Sequence, residues 1–242
     1  HRVTAIELDA PHGRKLRVLE VGAGTGGTPS FILQDFPADR TEYVFTDLSP
    51  LFLARAQEKF QAFPFVRYTL LDLEKDPLAQ GFVAHSFDLV IGANVVHATK
   101  DLRETLAHIK CVLAPEGLLM LCEGMMPQGW IDLTFGMTEG WWRFTDVELR
   151  GNYPLLAQTP WQTLLESEGF TQFAATPKDL NHKRALAQNA VLLARGPRVV
   201  ESRSVGTSEK GSWLILRDHN GLAQRLAEEL QARGEETVFA SI

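Results

Sequence analysis

Residues 20–27 read EVGAGTGG, and no other segment constrains the chain so tightly. Four of the six residues from 22 to 27 are glycine. Ordering each one costs backbone entropy that a plain turn does not require. Gly22, Gly24 and Gly27 fall as G-x-G-x-x-G between the apolar run 16–21 and Thr28-Pro29. Thr28 reads there as an N-cap and Pro29 as the first helical residue. A strand, a glycine-rich turn and a helix in that order bring bare backbone up to a ligand. By its spacing alone the turn suits a dinucleotide almost as well as any other nucleotide-like ligand. Glu20, two residues before the first glycine, argues against a phosphate and suits a cationic or amine-bearing group.

The rest of the chain continues this alternation. Apolar runs at 42–47, 66–72, 87–94 and 118–123 read as further strands, with amphipathic helices between them. That pattern predicts an α/β fold, a parallel sheet covered by helices. Ser49-Pro50 reads as the cap of the next helix, and Phe52, Ala56, Phe60 and Phe63 line one of its faces. Leu102, Leu106, Ile109 and Leu113 face inward from a helix over 101–114, stopped by Pro115 and Gly117. Residues 124–159 are less regular and hold three of the five tryptophans. A helix over 160–169 and two strands at 171–174 and 190–195, read as an antiparallel pair, complete a unit spanning 1–196. Residues 197–210, rich in Ser, Gly and charge, read as a linker. A strand, a helix and a strand follow within 211–242, with Leu222, Leu226 and Leu230 facing one way. This last unit is too small to fold alone. The chain as a whole reads as an excised piece of a longer polypeptide.

Charge narrows the partners. The net charge is −6 with no long basic run, which predicts no nucleic-acid binding. No apolar stretch reaches membrane-spanning length, and the first residues do not form a signal peptide. Cys111 and Cys122 each lie in an apolar run without metal spacing, so we expect buried free thiols, no metal and a cytoplasmic location.

The chemistry concentrates at strand ends. Asp47 follows Gly27 by 20 residues, where an acid takes ribose hydroxyls. Asp72 ends the third strand, where a carboxylate accepts from an adenine amine. Either Asp alone reads equally well as a cap or turn residue. Three acids at three successive strand ends beside a glycine turn point to a nucleoside. Asn94 and His97 leave the fourth strand in IGANVVHAT, and Glu123 ends the fifth. A Glu at a neighbouring strand end can orient an imidazole and raise its basicity. A lone His is more often structural; the joint placement favours catalysis. Trp141 and Trp142, with Phe135 and Phe144, fit either ordinary packing or the wall of a water-excluding channel.

EVGAGTGG, TDLS at 46–49 and LLDLE at 70–74 resemble motifs I to III of class I S-adenosylmethionine-dependent methyltransferases. The resemblance implies a Rossmann-like, seven-stranded, mostly parallel sheet of order 3-2-1-4-5-7-6 with helices on both faces. It implies that Glu20, Gly22, Gly24 and Gly26 shape the cofactor's amino acid pocket, that Asp47 holds the ribose, and that Asp72 with Leu73 holds the adenine. Asn94 joins this cofactor set. NVVHAT, TEGWWRF and LR…YPLL resemble the C-methyltransferase domains of modular polyketide synthases over residues 14–196. That implies S-adenosylmethionine as methyl donor and S-adenosylhomocysteine as product. It implies as substrate a β-ketoacyl chain held as a phosphopantetheine thioester on an acyl carrier protein, methylated at its α carbon. His97 and Glu123 would be the catalytic pair, and Glu139, Trp141 and Trp142 would face the substrate channel. Neighbouring synthase domains would be partners. Residues 211–238 resemble the opening of a ketoreductase structural subdomain, with only Gly221 in the turn. The helical lid that usually precedes motif I is expected to lie outside these 242 residues. The competing functions are an oxygen or small-molecule methyltransferase, a nicotinamide-dependent reductase, and a non-catalytic methyltransferase-like domain.

Overall fold

The computed structural model describes residues 14–177, 188–198, 212–216, 222–232, 234 and 236–240. The chain divides into two compact units, residues 1–198 and 199–242. The expected first residues, most of the linker and Gly221 lie outside the described residues.

The first unit is built on β1 (Leu16–Val21), β2 (Thr41–Asp47), β3 (Val66–Leu70), β4 (Phe87–Ala93), β5 (Leu113–Gly124), β6 (Thr171–Thr176) and β7 (Asn189–Arg195). They form one sheet in the order β3-β2-β1-β4-β5-β7-β6, as expected. The first five strands pair in parallel, and β7 runs antiparallel to both β5 and β6. Glu20 stands opposite Phe45 on one side and Ile91 on the other. The chain winds outward from β1 in one direction and from β4 in the other. The carboxyl ends of these two neighbours therefore open a crevice at the switch point.

Both sheet faces are apolar because helices cover both. On one face Leu19, Val21 and Val90 pack with Leu106 and Ile109 of α3 (Leu102–Val112) and with Trp161 of α6 (Gln158–Ser167). The four inward residues expected on α3 and just after it, Leu102, Leu106, Ile109 and Leu113, are all buried. Asp101 caps this helix by accepting from the Glu104 amide at 3.0 Å. On the other face Val18, Tyr43, Phe45 and Ile91 pack with Ala56 and Phe60, at and just beyond the end of α2 (Pro50–Lys59).

Three local expectations are corrected. Thr28 and Ser49 make no side-chain cap, and α1 (Pro29–Ile32) is only one turn before it tightens into a 3-10 turn, Leu33–Asp35. The fifth strand begins at Leu113, not 118. Leu113 already pairs with Phe87, and the ladder is interrupted before Leu118 meets Leu89. In the second unit, β8 (Ser212–Leu216) pairs in parallel with β9 (Glu236–Ala240) beside α7 (Leu222–Ala232). The packed face of α7 carries Ala223 and Ala227 with partly buried Leu230, while Leu226 is 48% exposed. The small alanines and Leu230 lie in the contact, and Leu226 does not. The side chain of Leu222 lies outside the described residues. No helix among the described residues is long and apolar enough to cross a membrane.

Candidate active site

The glycine loop gains its shape from left-handed backbone. Gly22 has φ +56°, and a side chain there would place its Cβ 2.2 Å from Val95 Cγ2. Only glycine takes that conformation in that space. The Gly24 amide donates to Asp47 Oδ2 at 2.9 Å, and the Ser49 amide donates to Asp47 Oδ1 at 2.8 Å. The carboxylate of Asp47 is thus fixed at the mouth of the crevice between two loops.

Asp72 follows β3. Its Oδ1 accepts from the Glu74 amide at 3.0 Å and its Oδ2 pairs with Lys75 Nζ at 2.9 Å. Burial raises its pKa, but the Lys75 hydrogen bond, the Glu74 amide and the charges of Lys75 and Arg143 outweigh it and hold the carboxyl below its ordinary value. The backbone of Asp72 is clamped on both sides by the Gln80 amide, at 2.8 and 2.9 Å.

Gly22, Asp47, Asp72, Leu73 and Asn94 line one cavity of about 190 Å³. The other expected cofactor residues stand behind it. Gly24 braces Asp47, and Gly26 (φ +71°) lies against the Phe60 ring. Glu20 is buried on the α2 face, where its Oε2 accepts from the Tyr43 hydroxyl at 2.8 Å. Burial pushes this carboxyl up to about 8. The Tyr43 hydrogen bond opposes the rise and nearby Asp47 adds to it. The surroundings of Glu20 therefore favour its neutral form, and its side chain stands behind the cavity instead of lining it. Glycine, ribose-type acid and adenine-type acid nevertheless share one crevice of the right chemistry for a nucleoside.

A second cavity, of about 700 Å³, shares Leu48, Asn94, Ala98 and Arg143 with the first. Its walls are mainly apolar, with Trp130, Ile131, Phe135, Trp141 and Leu155. His97 opens into it from the 3-10 turn Val96–Ala98. Asn94 makes the sharp exit from β4 with φ +51°, a value asparagine tolerates better than most residues. His97 Nδ1 lies 2.5 Å from Oε2 of the fully buried Glu123. Glu123 Oε1 accepts from the Val95 and Val96 amides at 3.3 and 3.0 Å. The carboxylate is thus oriented by three donors, and it fixes the tautomer with Nδ1–H toward Glu123 and a free lone pair on Nε2.

Of the three expected channel residues, Trp141 lines the cavity, its ring 5.4 Å from that of His97 and nearly perpendicular to it. Glu139 and Trp142 do not line it. Glu139 is exposed, and Trp142 turns outward to donate from its indole to the Gly136 carbonyl at 2.8 Å. The one-and-a-half-turn helix α4 (Gly129–Thr134) and two short 3-10 turns send alternate aromatic rings in and out, which the string itself does not encode.

Two arginines escaped the sequence reading. Arg143 lines both cavities and pairs with Glu74, which also accepts the Lys100 amide at 3.0 Å. Arg150 ends the single turn α5 (Val147–Arg150) and is buried against Asp146. The only signal for either was a cation beside an aromatic run.

With this geometry in place, known proteins bear on it directly. Residues 19–119 match a family described as methyltransferase domain. Polyketide synthase ThaQ of Burkholderia thailandensis is 40% identical over 206 residues, 82% of this chain and 10% of the relative. The crystal structure of the CurJ carbon methyltransferase superposes with a TM-score of 0.75 at 48% identity, covering 78% of this chain and 50% of that one. The chain belongs with the carbon-methyltransferase domains of polyketide synthases. The trans-methyltransferase CalH, solved in complex with SAH, is similar at 38% identity and a TM-score of 0.67, covering 75% of this chain and 51% of that one. The chain spans about a tenth of the length of the curated synthase and about half of each solved chain. As a member of this S-adenosylmethionine-dependent family, the chain carries at the ends of β1, β2 and β3 the cavity lined by Gly22, Asp47, Asp72, Leu73 and Asn94.

Proposed function

We propose that the domain transfers a methyl group from S-adenosylmethionine to the α carbon of a β-ketoacyl thioester carried on the phosphopantetheine arm of an acyl carrier protein. The observation that carries this reading is the His97–Glu123 pair opening into an apolar cavity that adjoins the cofactor crevice. The α proton of such a substrate lies between two carbonyls and is acidic enough for an imidazole to remove. His97 Nε2 takes it as a general base. Glu123 holds the ring in the productive tautomer and stabilises the imidazolium that forms. The apolar walls exclude water from the enolate and accommodate the acyl chain. Asp47 would take the ribose hydroxyls, and Asp72 with Leu73 would hold the adenine. S-adenosylmethionine, when bound, supplies the electrophilic methyl group that the enolate carbon accepts. Orientation of the two reactants is the larger part of what the protein contributes.

The acyl carrier protein and the neighbouring synthase domains are the partners this chemistry requires, in the cytoplasm where such thioesters are assembled. The parallel strand–helix–strand arrangement of the second unit supports its role as the opening of a ketoreductase structural subdomain. The test uses the full-length synthase with a β-ketoacyl carrier protein, followed by intact mass. One methyl group gained with S-adenosylmethionine supports the assignment. No gain, together with no exchange of the α proton in deuterium oxide, overturns it.

A further inference from the structure

Residues 97–100 lie between β4 and α3, running on from within the 3-10 turn Val96–Ala98, and carry the proposed base. Three of their carbonyls point to one side chain. Arg150 Nη1 donates to the His97 carbonyl at 2.7 Å, and Nη2 donates to the carbonyls of Thr99 and Lys100 at 2.7 and 2.9 Å. Arg150 Nε donates to Asp146 Oδ1 at 2.5 Å. The other Asp146 oxygen accepts the Leu102 amide, at the start of α3, at 2.9 Å. The guanidinium also stacks over the Phe144 ring, 4.9 Å from its centroid. Neither side chain of the ion pair is appreciably exposed, at 0% and 1%.

A buried ion pair is weak evidence for stability, because removing two charges from water offsets much of their attraction. Its geometry is what is informative. The rigid fork of Arg is spread over backbone oxygens flanking His97, so it fixes main chain rather than another side chain. It comes from the segment that follows the Trp141 wall, so the chain around the base is tied to the chain just beyond that wall.

We infer that Arg150, oriented by Asp146, is a positioning residue for His97. It holds the 97–100 segment so that the imidazole meets the α carbon of the substrate. The inference rests on the proposed role of His97. It predicts a split between steps: the base step depends on Arg150, whereas cofactor binding at Asp47 and Asp72 does not.

The test compares wild-type synthase with Arg150→Lys and Asp146→Asn, the latter retaining an oxygen for the Leu102 amide. Exchange of the α proton of a β-ketoacyl carrier protein in deuterium oxide, without cofactor, isolates the base step. Arg150→Lys is expected to lose about 100-fold in exchange and in kcat, the scale of a misplacement of about 1 Å, with KM and S-adenosylhomocysteine affinity within about twofold of wild type. Asp146→Asn is expected to lose about tenfold on the same two readouts, with affinity again retained, because the fork keeps its carbonyls but loses its orienting charge. Wild-type exchange rates in either variant with intact cofactor affinity overturn the inference. So does a fall in cofactor affinity matching the fall in exchange, since that is general loss of structure. If wild type itself exchanges no α proton, it is the proposed function that fails.

Discussion

At the residue scale, the pair His97–Glu123 and the single acid Glu20 use the same chemistry to opposite ends. Glu123 is met by three donors and aimed at an imidazole. Glu20 is met by one phenol in an apolar layer. Replacing His97 by Ala is expected to lower methyl transfer by about 10²- to 10⁴-fold, the usual contribution of a positioned base. Affinity for S-adenosylhomocysteine should stay unchanged, as titration calorimetry would show. Glu20 makes a pH prediction. Its carboxyl is raised from 4.5 to about 8 in the folded chain, so the folded state binds more protons between those values. Its contribution is fully present below pH 4.5 and is lost as pH rises through 8. Unfolding free energy should therefore fall across that window by something on the order of 2–4 kcal/mol. Glu20→Gln should flatten the slope, and denaturant midpoints at several pH values would reveal a slope that persists. His97 and Glu123 were legible because strand ends and sheet order bring them together. Arg150 was not, because it acts on carbonyls some fifty residues earlier and no local pattern marks that distance.

At the scale of elements, legibility followed periodicity. The first four strands are short apolar runs with clear boundaries, and the structure moves their ends by no more than two residues. The start of β5 was hidden because Pro115 and Gly117 read as a helix stop, whereas pairing of Leu113 with Phe87 extends the strand across them. Nothing periodic runs through 124–159, so a channel wall could be expected there but not which of its rings face the cavity. The third helix shows what a periodic element contributes. Leu106 is completely buried among Leu19, Val90 and Ile109 in one core. Leu106→Ala should cost about 2–5 kcal/mol, read as a lower urea midpoint with an unchanged slope. A cost under about 0.5 kcal/mol would mean that the helix does not anchor this sheet face.

At the scale of the whole molecule, the crevice at the switch point links ligand to stability. A ligand that binds only the folded state stabilises it by about 2.7 kcal/mol at a concentration 100 times its Kd. Saturating S-adenosylhomocysteine should therefore raise the melting temperature. Asp47→Asn should abolish most of that rise, because both oxygens of Asp47 sit between the glycine loop and the turn into α2. NADPH should leave the melting temperature unchanged; a rise with NADPH alone would favour a reductase.

The bracket formed by Arg150 has a consequence for how such a domain diversifies. It grips peptide oxygens, which every amino acid supplies, so its hold does not depend on the exposed side chain at 100. The apolar wall at 129–142 sits ahead of the bracket in the chain and makes no part of it. On the proposed function, new acyl chains would be accommodated by exchanging the wall ahead of Trp141, while the proposed base keeps its place. Grafts that keep Trp141 and everything from Phe144 onward should change which chain is accepted and leave the rate of proton removal intact.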